Sequence, residues 1–398
     1  MFETTNMMPA ESSSSATALP TSASKRILSC TAVVVTAAIF GLTYGLTAPL
    51  IAVNLAARGA GESLIGLNAA MHAVGVLLIA TILPRLTVRF GQRNLIVGAL
   101  AASAVILVGF PFVSILWLWF PLRLLLGAAA EVLLVLSETW TNELSDEHAR
   151  GRTMAIYMAA LSLGFAGGPA ILSLVGTGSI AYFIGAAIAI VAVLPVISPW
   201  ALRPAKMKPS IHHPLHYLRL APIALATTVL NAAVETAGLS FIALYASGMG
   251  WTQQKAMWLV STLLIGAIVL QLPIGWLADR MSRPRLVMVL AVVSALGALA
   301  WPWMLEHSGL AYALVFVWGG MFVGIYTVML TIVGSRFGGG DLVGVYAVMG
   351  LAWGVGALLG PTIVGFAMQS SPSYGLPYAI AGGCALFALF MATKRNSV

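Results

Sequence analysis

The chain has 398 residues, 60% of them apolar and 8% charged, with a mean hydropathy of +0.97. Soluble domains carry about 25% charged residues, so a water-exposed surface is excluded for most of the chain, and with it a soluble enzyme, a nucleic-acid-binding protein or a disordered regulator. The net charge of +8 suits a membrane protein, whose lysines and arginines collect in cytoplasmic loops.

Residues 1–26 are polar, with Ser12 to Ser15 in a row and Lys25-Arg26 at the end, and read as a disordered cytoplasmic tail. A bilayer core about 30 Å thick takes about 20 apolar residues of helix. Twelve such runs follow. The first six span residues 27–52, 64–83, 95–113, 116–140, 154–175 and 180–197, and the second six span 220–245, 257–277, 286–305, 310–333, 342–368 and 376–393. Continuous apolar runs exclude barrel strands, which alternate polar and apolar residues. The first run is too long for the core of a signal peptide and is read as a retained span. The predicted fold is therefore an all-α integral membrane protein of twelve transmembrane helices in two six-helix bundles, residues 27–200 and 220–393. Between them lies a basic linker, 201–219, with Pro204, Pro209, Pro214, His212, His213 and His216, and 394–398 form a C-terminal tail. These histidines have no carboxylate or cysteine nearby, and Cys30 and Cys384 lie in separate apolar runs, so neither a metal site nor a disulfide is expected. No cofactor is expected either.

Orientation follows from the basic residues. With the N-terminus inside, seventeen of the twenty lysines and arginines fall in cytoplasmic segments, two (Arg58 and Lys255) fall outside, and Arg123 lies within a span. Both termini are expected in the cytoplasm.

The halves resemble each other. Leu86 and Arg89 match Leu277 and Arg280 at an offset of 191, while Gly127 matches Gly319 and Gly168-Pro169 matches Gly360-Pro361 at 192. Six spans duplicated to twelve is a transporter plan, with the binding site near the midplane between the halves.

The segment from Gly275 to Arg285 reads G-W-L-A-D-R-M-S-R-P-R, and its first-half copy from Pro84 to Arg93 keeps Leu86, Arg89, Gly91 and Arg93. This resembles the loop signature of the major facilitator superfamily, with Ser282 where the family prefers glycine and Val88 in place of the acid. Arg123 with Gly127 resembles the family's R-x-x-x-G element. Gly164-x-x-x-Gly168-Pro169, repeated as Gly356-x-x-x-Gly360-Pro361, is similar to an element associated with drug–proton antiporters. The resemblance covers the whole chain. It implies a twelve-span secondary transporter working by alternating access in a bacterial inner membrane, with a small-molecule substrate, a lipid surround, protons as a candidate coupling ion and a monomeric state. Gly-x-x-x-Gly allows close helix approach and the proline a bend. Asp279 with Arg280 is a candidate gate lock, its partner expected at Arg150 and Arg152; Gly275, Arg89, Gly91 and Glu138 belong to the same candidate gating region.

Ionisable residues within spans are functional candidates because burying them is costly. With Arg123 at zero, Glu138 falls at about 60° and Glu131 at about 80° around the fourth helix, so all three share a wedge facing protein or water. Arg123 is the expected structural partner of these acids. Glu235, with Asn231 one turn earlier, sits deep in the seventh span. Glu131 and Glu235 are the candidates to carry a proton. His72 reads as a packing residue, and Tyr44, Asn54 and Tyr326 as pocket groups by depth. Of eleven tryptophans, Trp117, Trp119, Trp140, Trp200, Trp251, Trp258, Trp276, Trp301 and Trp303 lie near span ends, where aromatic belts form, while Trp318 and Trp353 lie deeper and are candidates to stack a planar substrate. Deep aromatics and few charges favour a neutral or weakly charged organic solute, with uptake of a planar metabolite or vitamin, riboflavin-like for example; a multidrug-type proton antiporter exporting amphipathic compounds is the alternative, and a non-transporting sensor or lipid-modifying enzyme a remote one.

Overall fold

Long apolar segments leave the backbone no partner but itself, and lipid-embedded chain closes its hydrogen bonds within helices. The computed structural model describes residues 23–144, 150–197, 221–337 and 339–393, and among these the regular structure is helical. The first half holds α1 (Ala23–Ala57), α2 (Glu62–Phe90), α3 (Gln92–Gly109), α4 (Trp119–Leu144), α5 (Arg150–Val175) and α6 (Ser179–Ile197). The second holds α7 (Pro222–Gly248), α8 (Gln253–Val269), α9 (Gln271–Arg280), α10 (Arg283–Leu299), α11 (Trp301–Met304), α12 (Ser308–Arg336), α13 (Gly339–Ser370) and α14 (Gly375–Thr393). The first helix begins at Ala23, four residues before the expected span. The rest of the polar tail, the linker 201–219 with its histidines, and the tail 394–398 lie outside the described residues.

Eleven stretches are long and apolar enough to cross a membrane by themselves. The remaining expected span, the ninth at 286–305, is α10 and α11 together: α10 has 17 residues, the chain steps at Ala300, and four more helical residues follow. The eighth span likewise steps at Leu270, between α8 and α9. Proline explains both steps, because Pro273 and Pro302 have no N–H for the preceding turn and clash with its carbonyl. At the first step the side chain of Leu270 fills the space left by Gly320.

The repeat is visible in the packing. A Cβ added at Gly164 or Gly168 of α5 would strike the α1 backbone at Ala38 or Leu46, and one at Gly356 or Gly360 of α13 would strike the α7 backbone at Val229 or Ala233. Gly127 meets the His72 carbonyl as Gly319 meets that of Leu263. The Gly164–Ala38 and Gly127–His72 contacts recur in the second half at shifts of 191 and 192 residues, and Gly360 repeats the Gly168 contact on the matching pair of helices. Pro169 and Pro361 lie inside α5 and α13, one residue after these contacts. The loop glycines are less alike. Gly91 holds φ 79°, a left-handed conformation suited to glycine, as the single residue between α2 and α3. Its counterpart Ser282 has φ −61° and needs no glycine.

The two halves meet through α2 on α13 and α5 on α8. These contacts gather at the end away from the described basic loops. Ser63 N–H donates to Gln369 (3.3 Å), Ser261 Oγ donates to the Ala166 carbonyl (3.1 Å), and Gln253 donates to Thr177. Gly66 lies against the Pro361 carbonyl, and Gly354 admits the side chain of Leu77. Beyond Leu77 towards the basic end, the halves part.

Substituting Gly360→Leu forces α13 off the α7 backbone, and overpacking of this kind costs about 1–3 kcal/mol. The expected outcome is a lowered melting temperature in detergent, with Gly382→Ala, which has open space around it, unchanged or slightly raised as the control. Equal melting of both variants would contradict the close-packing account.

Candidate functional site

A cavity of about 590 Å³ lies where the halves part, a size typical of small-molecule sites. From the first half its walls include Phe40 and Tyr44 of α1, His72 of α2, Glu131 and Glu138 of α4, and Tyr157 and Phe165 of α5. From the second come Asn231 and Glu235 of α7, Tyr326 of α12, and Tyr346, Met349 and Trp353 of α13. Glu138, Met158, Tyr346 and Gly350 line it and are exposed, so it opens towards the basic end.

Helical spacing sets the polar groups. Asn231 and Glu235 are four residues apart and face the same way, and Asn231 Nδ2 donates to Glu235 Oε2 at 3.3 Å. The side-chain Oδ1 of Asn231 is buried with no partner among the described residues. Glu131 and Glu138 are seven residues apart, about two turns, and place two carboxyls along one wall at different depths. Tyr157 OH pairs with Ser137 Oγ at 2.9 Å. Around the closed end, Tyr44 packs edge-on against Phe165 (5.5 Å, 87°) and tilts against His72 (4.7 Å). Three carboxyls and seven aromatic rings thus share one chamber, and no lysine or arginine is among the described residues lining it.

The expected residues divide. Glu131, Glu138, Asn231, Glu235 and Trp353 come together in the cavity. Arg123 does not join them. It is 2% exposed, its Nη1 donates to Thr47 Oγ1 at 3.4 Å, and it faces a small space shared with Asn68. The shared wedge on α4 is right in angle, but eight residues put Arg123 about 12 Å along the axis from Glu131, where it is not the ion-pair partner expected from the helical wheel. Trp318 also stands elsewhere: it is stacked on Phe322 (5.1 Å), edge-on to Trp301 (4.9 Å), and its indole N–H donates to the Ser294 carbonyl (2.8 Å). Tyr44, His72 and Tyr326 line the cavity, whereas Asn54 donates to the Leu50 and Thr177 carbonyls. Trp117, Trp276 and Trp303 are exposed as belt residues would be, but Trp119, Trp140 and Trp301 are fully buried core.

The candidate gating residues cluster at the basic end. Asp279 and Arg280 are exposed on α9, and Arg280 lies over the Trp276 ring at 3.7 Å. Gly275 has open space around it, Arg89 lies over Phe90 at 5.3 Å, and Gly91 makes the turn described above. Arg150 and Arg152 start α5 at the same end, and their side chains lie outside the described residues.

Phe40, Phe165, Tyr157 and Tyr346 line the cavity without having been expected there. Aromatic residues at helical spacing look the same in a core and in a binding wall, and only the meeting of the halves tells them apart.

Comparison with known proteins agrees with this geometry. A family model, Major Facilitator Superfamily, matches residues 33–254 and again 223–396, two overlapping matches that together span both halves. The MFS-type transporter YfkF of Bacillus subtilis (strain 168) is 26% identical over 358 residues, covering 86% of this chain and 89% of the relative. A second MFS-type transporter, Ent638_1421 of Enterobacter sp. (strain 638), is 25% identical, covering 83% and 87%. Among solved structures, the nucleoside transporter NupG superposes with a TM-score of 0.77 at 14% identity, over 93% of this chain and 98% of its own. The D-xylose–proton symporter superposes with a TM-score of 0.71 at 15% identity, over 92% and 97%. At such identities these structures speak for the fold alone. With the family model matching both halves and the transporter fold enclosing a cavity between them, this chain belongs to the Major Facilitator Superfamily and is a secondary transporter.

Proposed function

We propose that the chain exports amphipathic organic cations in exchange for protons, with Glu235 as the shared site. The observation that carries this reading is the chemistry of the cavity: three carboxyls among aromatic rings, with no described lysine or arginine lining it. Aromatic faces attract cations, and a carboxylate supplies the counter-charge. A carboxyl deep in a membrane protein is costly to leave charged and unpaired. Either a proton or a cationic substrate relieves that cost at Glu235, and the two compete for one group. Competition of this kind couples the two flows without further machinery. The Gly164-x-x-x-Gly168-Pro169 element, similar to that of drug–proton antiporters, supports export, and a neutral planar metabolite is disfavoured because Trp318 stands outside the cavity while three acids stand in it. The basic end faces the cytoplasm of a bacterial inner membrane by the distribution of lysine and arginine, so the conformation described is the inward-open one.

Glu131 stands on the opposite wall as a relay between Glu235 and the mouth, where Glu138 meets water. Asp279 would close that mouth by pairing with Arg150 or Arg152 as the halves rock together, its exposure here matching the open state.

Two outcomes test this reading. Tetraphenylphosphonium binding to the purified protein is expected to tighten as pH rises, because protons leave the site. In Glu235→Gln it is expected to weaken by about 30-fold, as for loss of one partner of a buried charge pair, and to lose that pH dependence. Unaltered binding and pH dependence in Glu235→Gln would remove Glu235 from the site. For the gate, spin labels at Asn94→Cys and Arg285→Cys, in a background without Cys30 and Cys384, report the distance between halves at the basic end. Asp279→Asn is expected to shift the distribution towards the longer, open distance, and an unchanged distribution would remove Asp279 from the gate.

A further inference from the structure

Behind Glu235 the second half holds a smaller chamber of about 40 Å³. Its walls come from α7, α8, α12 and α14, with Leu239, Leu263, Leu264, Trp318, Phe322 and Val323 prominent. Glu235 lines this chamber as well as the central cavity, and it is the one charged side chain among the chamber's lining residues. A water needs two to four polar partners and about 10–15 Å³ of such space. The chamber has room for roughly three water-sized groups by that measure but offers them little to bond with, since its walls are otherwise apolar. Its far wall is stiff. Trp318 is pinned by its hydrogen bond to the Ser294 carbonyl and by the parallel stack on Phe322, at 5.1 Å and 3° between planes.

We propose that this chamber is a specificity subsite for a short apolar arm of the substrate, of about three or four carbons, while the cationic centre rests at Glu235. The inference rests on the cation reading of the central cavity for the head group, but the chamber itself is defined by its apolar walls alone. Every wall belongs to the second half. An arm seated there stays with that half while the first half rocks away, so the substrate is carried by one body through the transition. The subsite therefore adds affinity for cations with one slender apolar branch, whereas a bulky symmetric cation such as tetraphenylphosphonium binds in the larger central cavity alone and gains nothing from the chamber.

The test uses two ligand series on the protein in lipid nanodiscs: n-alkyltrimethylammonium ions from methyl to hexyl, and the corresponding neutral n-alkanols. Binding is read from thermal stabilisation. Affinity for the ammonium ions is expected to rise by about fourfold per methylene until the chamber is full near butyl, and then to flatten. Val323→Phe fills the chamber and is expected to flatten the series from its start. Leu264→Ala enlarges it and is expected to move the plateau to longer chains, which keeps the test alive if the larger side chain disturbs folding. A steady rise through hexyl, the same in wild type and both variants, would overturn the chamber, as would ammonium binding without any dependence on chain length. The latter would leave the cation reading standing. If the ammonium ions fail to bind while the alkanols show the Val323-sensitive rise, the chamber stands and the cation reading falls. No stabilisation by either series overturns the chamber.

Discussion

A charged or polar side chain carried into a membrane needs a partner or water, because the surrounding hydrocarbon offers neither. This chain takes few such groups inside, and the fold makes places for them. Close packing at one end does most of this. Glycines let α5 lie on the α1 backbone and α13 on that of α7, and other glycines, Gly66, Gly354 and Gly365, let α2 and α13 meet across the halves. Because the described residues of the halves touch at one end, they leave a wedge open at the other, and Glu131, Glu138 and Glu235 all line it. Arg123 obeys the same constraint differently, turned within the first half to donate to Thr47.

The constraint also shapes the transport chemistry. Glu235 lies between two environments, a polar cavity open at the basic end and an apolar chamber in the second half. One carboxyl there can hold a proton or balance a cationic head group whose apolar arm lies behind it. The pseudo-symmetry stops at this point. Glycine contacts recur between halves, but the loop signatures differ, with Val88 where the second half has Asp279 and Gly91 where it has Ser282. With Asp279 as the proposed gate, the two halves would contribute unequally at the basic end despite their like architecture.

Much of this was legible in the sequence. Apolar runs gave the spans, and the recurrence of Gly-Pro pairs gave the repeat that the helix contacts display. The depth of Glu131, Asn231, Glu235 and Trp353 marked residues that do meet in one cavity, since a polar group deep in a span has few other places to go. Depth alone misled for Trp318, which satisfies its indole N–H on Ser294 and its ring on Phe322 within one half. The helical wheel misled for Arg123 because it gives angle without height. The step at Ala300 was foreshadowed by Pro302, which an apolar run conceals. The wall residues Phe40, Tyr157, Phe165 and Tyr346 and the side chamber were not legible, because they exist only where separate helices converge.

The central claim, that proton and cation compete for one buried carboxyl, is tested most directly by counting protons. Weakly buffered protein, equilibrated at a pH where the site is protonated, is titrated with tetraphenylphosphonium while a pH indicator is followed. The account predicts release of about one proton per cation bound, and release lost in Glu235→Gln. Saturating binding with no proton released would contradict it.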